Sequence, residues 1–190
     1  AISYDDGQSF SRLGNAPFLD RTNSEFLTRY GPWIIKDEGQ FRIWYPCATG
    51  FIKYNGKQTH TYHLATMASN TLSTWNQKSQ ISLPLNRAHQ EFGFGRPYVL
   101  KRKRSYLMFY SIRTHNLGYR IGYAESTNGI EWKRKDEQVG ISISESGWDS
   151  EMICYPSIIE LNGNTWLFYN GNNMGKTGFG YAKLHGSLTP

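Results

Sequence analysis

The sequence predicts an all-β protein made of repeated antiparallel four-stranded units, the pattern of a β-propeller. Three observations lead there: 6 Trp, 13 Tyr and 10 Phe (15% of 190 residues) beside 19 Gly, an ungapped threefold internal repeat, and a second hairpin pattern that follows it. Aromatic and β-branched side chains suit a pleated surface and glycines turn the chain, so short twisted strands are favoured over helices.

The repeat comprises Gly31–Tyr45, Arg96–Tyr110 and Tyr155–Tyr169. In each, a proline stands 13 residues before a closing tyrosine (Pro32/Tyr45, Pro97/Tyr110, Pro156/Tyr169), and the prolines lie 65 and 59 residues apart. Each segment reads as a β-hairpin, with Asn162-Gly163 the strongest turn signal because both residues tolerate positive φ. Proline at a strand start removes a donor where the ladder has not begun. Gly122–Trp132 then reads as a strand, an Asn128-Gly129 turn and a return strand carrying Trp132. The opening Ile2–Phe10 repeats that pattern, His63–Trp75 is a longer version returning through Trp75, and Gly178–Ala182 begins another. One domain over 1–190 is expected, with repeats near 31–78, 96–135 and 155–184 and an outer half-unit at 1–13. The competing architecture is an all-β sandwich, against which the ungapped triple match argues.

The charge balance, 21 Lys and Arg against 15 Asp and Glu, gives +6. Its only dense run, Lys101–Arg104, sits between two strand-like stretches and reads as a solvated hairpin tip. A nucleic-acid face needs several basic elements converging, so no nucleic-acid partner is expected. No apolar run approaches the roughly 18 residues of a membrane span, so no membrane partner is expected either. Cys47 and Cys154 cannot build a disulfide framework and read as free thiols of a cytoplasmic protein. Gly171–Thr177 imitates a phosphate-binding loop, but its first glycine is out of register and a strand follows where a helix is needed. His60 and His63 fall on opposite faces of a strand. No cofactor or metal is expected.

Two patterns carry a family resemblance. One is Pro-aromatic-β-β, a turn and a strand ending in Trp-Tyr or Phe-Tyr; the other is Tyr123-Ala-Glu-Ser-Thr-Asn-Gly-Ile-Glu-Trp132. Together they resemble the five-bladed β-propeller glycosidases, which include glycoside hydrolase family 43 and the invertases and levansucrases. Tyr119–Ala124, Gly147–Met152, Tyr169–Asn172 and Gly175–Ala182 are more similar to an uncharacterised bacterial branch of glycosidase-like propellers. The resemblance implies a five-bladed fold, a carbohydrate ligand in a central funnel, and glycosidic-bond chemistry. At about 60 residues per repeat, the sequence accounts for three such blades. The expectation is therefore either a member lacking N-terminal blades, or copies that self-associate through exposed blade edges.

Glycoside hydrolysis normally uses two carboxylates flanking the scissile bond. Each repeat carries an acid just before its proline: Glu25 seven residues ahead of Pro32, Glu91 six ahead of Pro97, and Glu151 five ahead of Pro156 with Asp149 beside it. Asp149 and Glu151 are the expected acid and base pair, Glu91 a catalytic neighbour tuning them, and Glu25 a ligand contact. Arg96, at a strand head, is expected to clamp a ligand anion or fix Glu91 or Asp149. Trp148, Tyr155 and Trp33 offer faces to sugar rings. One departure stands out: where family 43 enzymes carry their acid in Glu-Gly-Pro, this sequence reads Tyr30-Gly31-Pro32, and a phenol near pKa 10 is a poor acid. The alternative is a non-catalytic structural or protein-interaction propeller whose acids are merely solvated.

Overall fold

The computed structural model describes residues 1–75, 78–186 and 188. Among the described residues, twelve strands carry the fold: β1 (Thr28–Arg29), β2 (Trp33–Asp37), β3 (Gln40–Tyr54), β4 (Lys57–Ser69), β5 (Gln80–Leu83), β6 (Glu91–Lys101), β7 (Tyr106–Thr114), β8 (Arg120–Ser126), β9 (Lys133–Arg134), β10 (Cys154–Leu161), β11 (Asn164–Asn170) and β12 (Phe179–Lys183). The protein is all-β. Three antiparallel meanders follow one another: β2-β3-β4-β5, β6-β7-β8-β9 and β10-β11-β12. A single parallel pairing, Tyr62 with Gly93, ties the first two meanders into one nine-stranded sheet that also takes in β1. None of the helices among the described residues is long and apolar enough to cross a membrane.

Each repeat hairpin forms where the turn chemistry puts it. Asn162 (φ 51°) and Gly163 (φ 71°) both adopt the left-handed conformation that a type I′ turn requires. Asn55-Gly56 does the same between β3 and β4, making that hairpin much longer than the repeat alone predicts. Asn128-Gly129 behaves differently. The Asn128 side chain accepts from the backbone of Ile130 and Glu131 (both 2.9 Å), which opens the turn, and only Lys133–Arg134 return as β9. Trp75 is a correction too. It lies on no return strand but in the loop before β5, where it is buried against Tyr45 and Met67. At the N-terminus only one bridge, Ile2 with Ser11, pairs the chain.

Period-two alternation sends side chains to both faces of the middle strands, and both faces are buried. On β7, Met108, Tyr110 and Ile112 join Trp44, Leu64 and Phe94 in one cluster, while Leu107 and Phe109 join Ile153, Ile158 and Tyr169 in another. On β3, Trp44 enters the first cluster while Ile43, Tyr45 and Cys47 turn to a third. Burial on both sides explains why Leu107–Tyr110 is an unbroken apolar run rather than an alternating one.

Aromatic donors stitch successive meanders together. Trp33 Nε1 donates to the Val99 carbonyl at 2.8 Å, Trp44 Nε1 to that of Gly129 at 3.1 Å, and the Tyr98 hydroxyl to that of Ile158 at 2.5 Å. The basic run at the β6–β7 tip takes part as well. Lys101 is ion-paired with Asp37 in the first meander, and Arg102 forks onto Glu160 in the third at 3.1 and 2.5 Å. Lys103 and Arg104 are left in solvent.

Candidate ligand face at the strand heads

The residues immediately before the three repeat prolines are Gly31, Arg96 and Tyr155, and all three have positive φ, at 51°, 39° and 59°. For Gly31 that costs little; for Arg96 and Tyr155 it is a strained conformation that L side chains seldom adopt. The pairing register slips between Gly95 and Tyr98 in β6, and between Cys154 and Ser157 in β10, so β10 bulges at its head while β6 bulges midway, which corrects the expectation that Arg96 stands at the start of its strand. Such a bulge re-aims the side chain it carries. Here both side chains are thrown to one place: the Arg96 guanidinium lies 4.4 Å above the Tyr155 ring. Gly31 comes against the same arginine, since a Cβ there would sit 3.3 Å from Arg96 Cγ.

A ladder of rings continues from this point. Tyr155 meets Tyr119 at 5.8 Å between ring centroids. Arg113 lies among three rings, 4.6 Å from Phe92, 5.3 Å from Tyr119 and 5.6 Å from Tyr62. Tyr30 packs edge-on against Tyr62 at 5.6 Å, and its hydroxyl points to the Phe94 carbonyl at 3.5 Å. Tyr62 approaches this closely because residue 93 is glycine; a Cβ there would lie 2.5 Å from the ring. The Tyr155 amide donates to Ser111 Oγ at 2.8 Å, anchoring the strained head. Burial pushes the Tyr30 and Tyr119 phenols well above the ordinary tyrosine value, and raises the Cys47 thiol to about 12 and the Cys154 thiol to about 11. At neutral pH all four groups keep their protons, so they offer hydrogen-bond donors and no nucleophile.

The expected acids lie in different settings. Glu25 is buried, paired with Arg29 at 2.5 Å, and accepts from the Tyr45 hydroxyl at 2.9 Å and from Ser79 Oγ. Glu91 is buried under a two-pronged bond from Arg134 at 2.8 and 2.6 Å, and its carboxylate also accepts the Asn86 amide at 2.7 Å. Asp149 is buried and accepts from the Tyr169 hydroxyl at 2.9 Å. Glu151 has an exposed side chain; its backbone carbonyl takes a bond from Arg120 at 2.9 Å beside Tyr119. Among the described residues no contact joins Glu91 to Asp149 or Glu151. Arg96 pairs with neither Glu91 nor Asp149, because Arg134 and Tyr169 already hold those two.

The closing tyrosines explain the pre-proline acids of the first and third repeats. Tyr45 donates to Glu25, Tyr169 to Asp149, and Tyr110 to Asp136 at 2.6 Å. A buried phenol needs an acceptor, and each repeat supplies a carboxylate for it. In the second repeat the acceptor is Asp136, bridged through Arg134 to Glu91. Trp148 stacks on Tyr169 at 5.4 Å and fits against Gly171 and Gly180, where an added Cβ would collide with its ring, so its face is covered from within. Trp33 likewise packs against Tyr98 at 4.0 Å.

Arg96 and Tyr155, each expected singly as a ligand contact, lie side by side, while Arg113, Tyr62 and Tyr119 were not among the expected site residues. Arg113 stands three residues past the closing Tyr110, where the repeat alignment had stopped. Carrying it onward would have set Arg113 beside Ala48 and Asn172. Among the described residues no group of three His, Cys, Asp or Glu is placed to hold a metal.

The three antiparallel meanders share their fold with solved glycoside hydrolases. A thermostable family-43 glycoside hydrolase superposes with a TM-score of 0.70 over 90% of this chain and 58% of its own length, at 18% identity. Zg3597, a family 117 glycoside hydrolase from Zobellia galactanivorans, gives 0.64 over 80% of this chain and 51% of its own, at 16% identity. In sequence, the chain is 28% identical over 178 residues to Rv1502, an uncharacterised protein of Mycobacterium tuberculosis, covering 94% of this chain. It spans 58% of the length of that relative. No family model matches the sequence.

Proposed function

We propose that this chain forms three blades of a glycosidase-like propeller and that its strand-head face recognises a carbohydrate. The observation that carries the reading is the convergence of Arg96 and Tyr155 through two bulged, left-handed strand positions. Backbone strain of this kind costs about 1–3 kcal/mol per residue and clusters at functional sites. Tyr155 and Tyr119 supply apolar faces for sugar rings, and the protonated phenols and Arg96 supply donors to hydroxyls. The fold neighbours support the carbohydrate class.

A second reading is hydrolysis, with Glu151 and Asp149 as acid and base and Glu91 as their neighbour. Its support is that Glu151 is exposed, with its backbone carbonyl bonded to Arg120 next to Tyr119. Against it stand the internal partners of Asp149 and Glu91, each already engaged. The two free thiols, Cys47 and Cys154, fit a reducing compartment such as the cytoplasm. Self-association has a candidate surface in β12, whose Phe179 and Tyr181 are exposed at the edge of the third meander. A concentration-dependent mass by light scattering is expected; a constant monomer mass would remove that part.

A glycan array combined with a chromogenic-glycoside screen tests the main reading. Binding with little or no turnover is the expected result. Turnover abolished by Glu151→Gln would favour the second reading, and binding to no sugar would remove both.

A further inference from the structure

Granting that the strand heads recognise a sugar, their charge narrows its class. Arg96 and Arg113 belong to one continuous cluster, linked through Tyr155 and Tyr119 by contacts of 4.4, 5.8 and 5.3 Å. Among the described residues neither arginine forms a salt bridge. The two arginines nearest the buried acids are matched instead, Arg29 by Glu25 and Arg134 by Glu91 and Asp136. The cations beside the acids are thus neutralised, while those at the strand heads are not.

The surroundings add no counter-charge. Tyr30, Tyr62, Tyr119 and Tyr155 supply phenols, Ser111 a hydroxyl, Gly31, Gly93 and Gly95 bare backbone, and Cys47 and Cys154 buried thiols. Glu91, at the head of β6, is consumed by Arg134, and Glu151 reaches the rim through its backbone while its side chain points to solvent. Rings also flank both guanidiniums. The Arg96 guanidinium lies 4.4 Å from the Tyr155 ring centroid, and the residue is exposed, without a salt bridge among the described residues. Arg113, caged by Phe92, Tyr119 and Tyr62, is held in place without spending its donors on a carboxylate. A planar fork of this kind matches an oxyanion with two oxygens in reach.

We propose that the carbohydrate is acidic, carrying a carboxylate or sulfate group held by the Arg96 and Arg113 guanidiniums while its ring lies on Tyr155 and Tyr119. A neutral sugar would use the rings and leave both cations without an anionic partner. An acidic one supplies that partner, and desolvation against the aromatic rings strengthens the attraction.

The test is isothermal titration of the purified chain with three series of oligosaccharides: neutral, uronate-bearing and sulfated. Each is measured at low and high salt, and again with Arg113→Gln and Arg96→Gln, whose melting curves report on folding. Binding of the uronate or sulfated series, weakened by salt and reduced about tenfold or more by either variant, is the expected result. The series that binds identifies the anion. Neutral sugars binding as well as acidic ones, with no effect of salt or of either variant, would overturn the acidic assignment and leave recognition intact. No binding by any series would overturn recognition itself. If one variant melts abnormally low, the other and the salt dependence still decide.

Discussion

Replacing Glu25 by Gln separates a structural acid from a ligand-facing one. Glu25 and Arg29 have side chains only 5% and 4% exposed, and the carboxylate also accepts from Tyr45 and Ser79. Glutamine keeps the size and most hydrogen bonds but leaves the Arg29 charge buried without its anion. Removing one partner of a buried ion pair costs about 3–5 kcal/mol. Arg29 retains bonds to the Asp20 carbonyl and the Thr22 hydroxyl, which places the expected loss near the lower end, about 3 kcal/mol. For a chain of this size, 1 kcal/mol moves Tm by about 2–4 °C, so a fall of about 6–12 °C is expected in a calorimetric melt. The double variant Glu25→Gln/Arg29→Met, with no charge left to strand, should recover most of that loss. A single variant that melts within about 2 °C of the parent while losing sugar binding would refute the structural role.

Two further outcomes follow from the same geometry. Gly122→Ala places a Cβ 2.6 Å from the Tyr110 ring and 2.7 Å from Asp136 Oδ1, the bond that satisfies the closing phenol of the second repeat. A loss of about 1–3 kcal/mol is expected by chemical denaturation, and an unchanged midpoint would contradict that packing. The raised thiols predict an alkaline limit. Cys47 and Cys154 shift from about 9 to about 12 and 11, so the folded state holds protons that the unfolded chain releases. Their contribution to stability is complete below about pH 9 and is lost as pH climbs toward 11–12. Melts between those limits should fall with pH, and a disulfide-exchange reagent at pH 8 should label neither thiol in the folded protein. Rapid labelling would contradict their burial.

Much of the fold was legible because turn chemistry and aromatic spacing are local signals. Asn162-Gly163 and the three Pro-to-Tyr intervals fix the hairpins without knowledge of what packs on them. Trp75 closes a longer copy of the pattern that ends in Trp132, which suggests a return strand, whereas its burial in one cluster with Tyr45 and Met67 is a tertiary fact. The acids present the same difficulty at the candidate site. Glu25 and Asp149 precede their prolines for a reason the sequence does hold, the closing tyrosines that donate to them, whereas Glu91 is held by Arg134; a buried acceptor and a catalytic acid look alike until their partners are known. Arg113 and Tyr62 reach the strand heads from strand positions outside the repeat, so only the pairing of Tyr62 with Gly93 reveals them.

The strand-head face is tested most directly by Arg96→Gly, read by sugar titration and thermal melting on the same sample. Glycine relieves a left-handed conformation costing about 1–3 kcal/mol and forfeits a cation–π contact of about 0.5–2 kcal/mol, so Tm should stay level or rise slightly. Sugar binding should be lost or severely weakened. A variant that binds like the parent while melting several degrees lower would show that Arg96 serves the fold rather than a ligand, and would contradict the account.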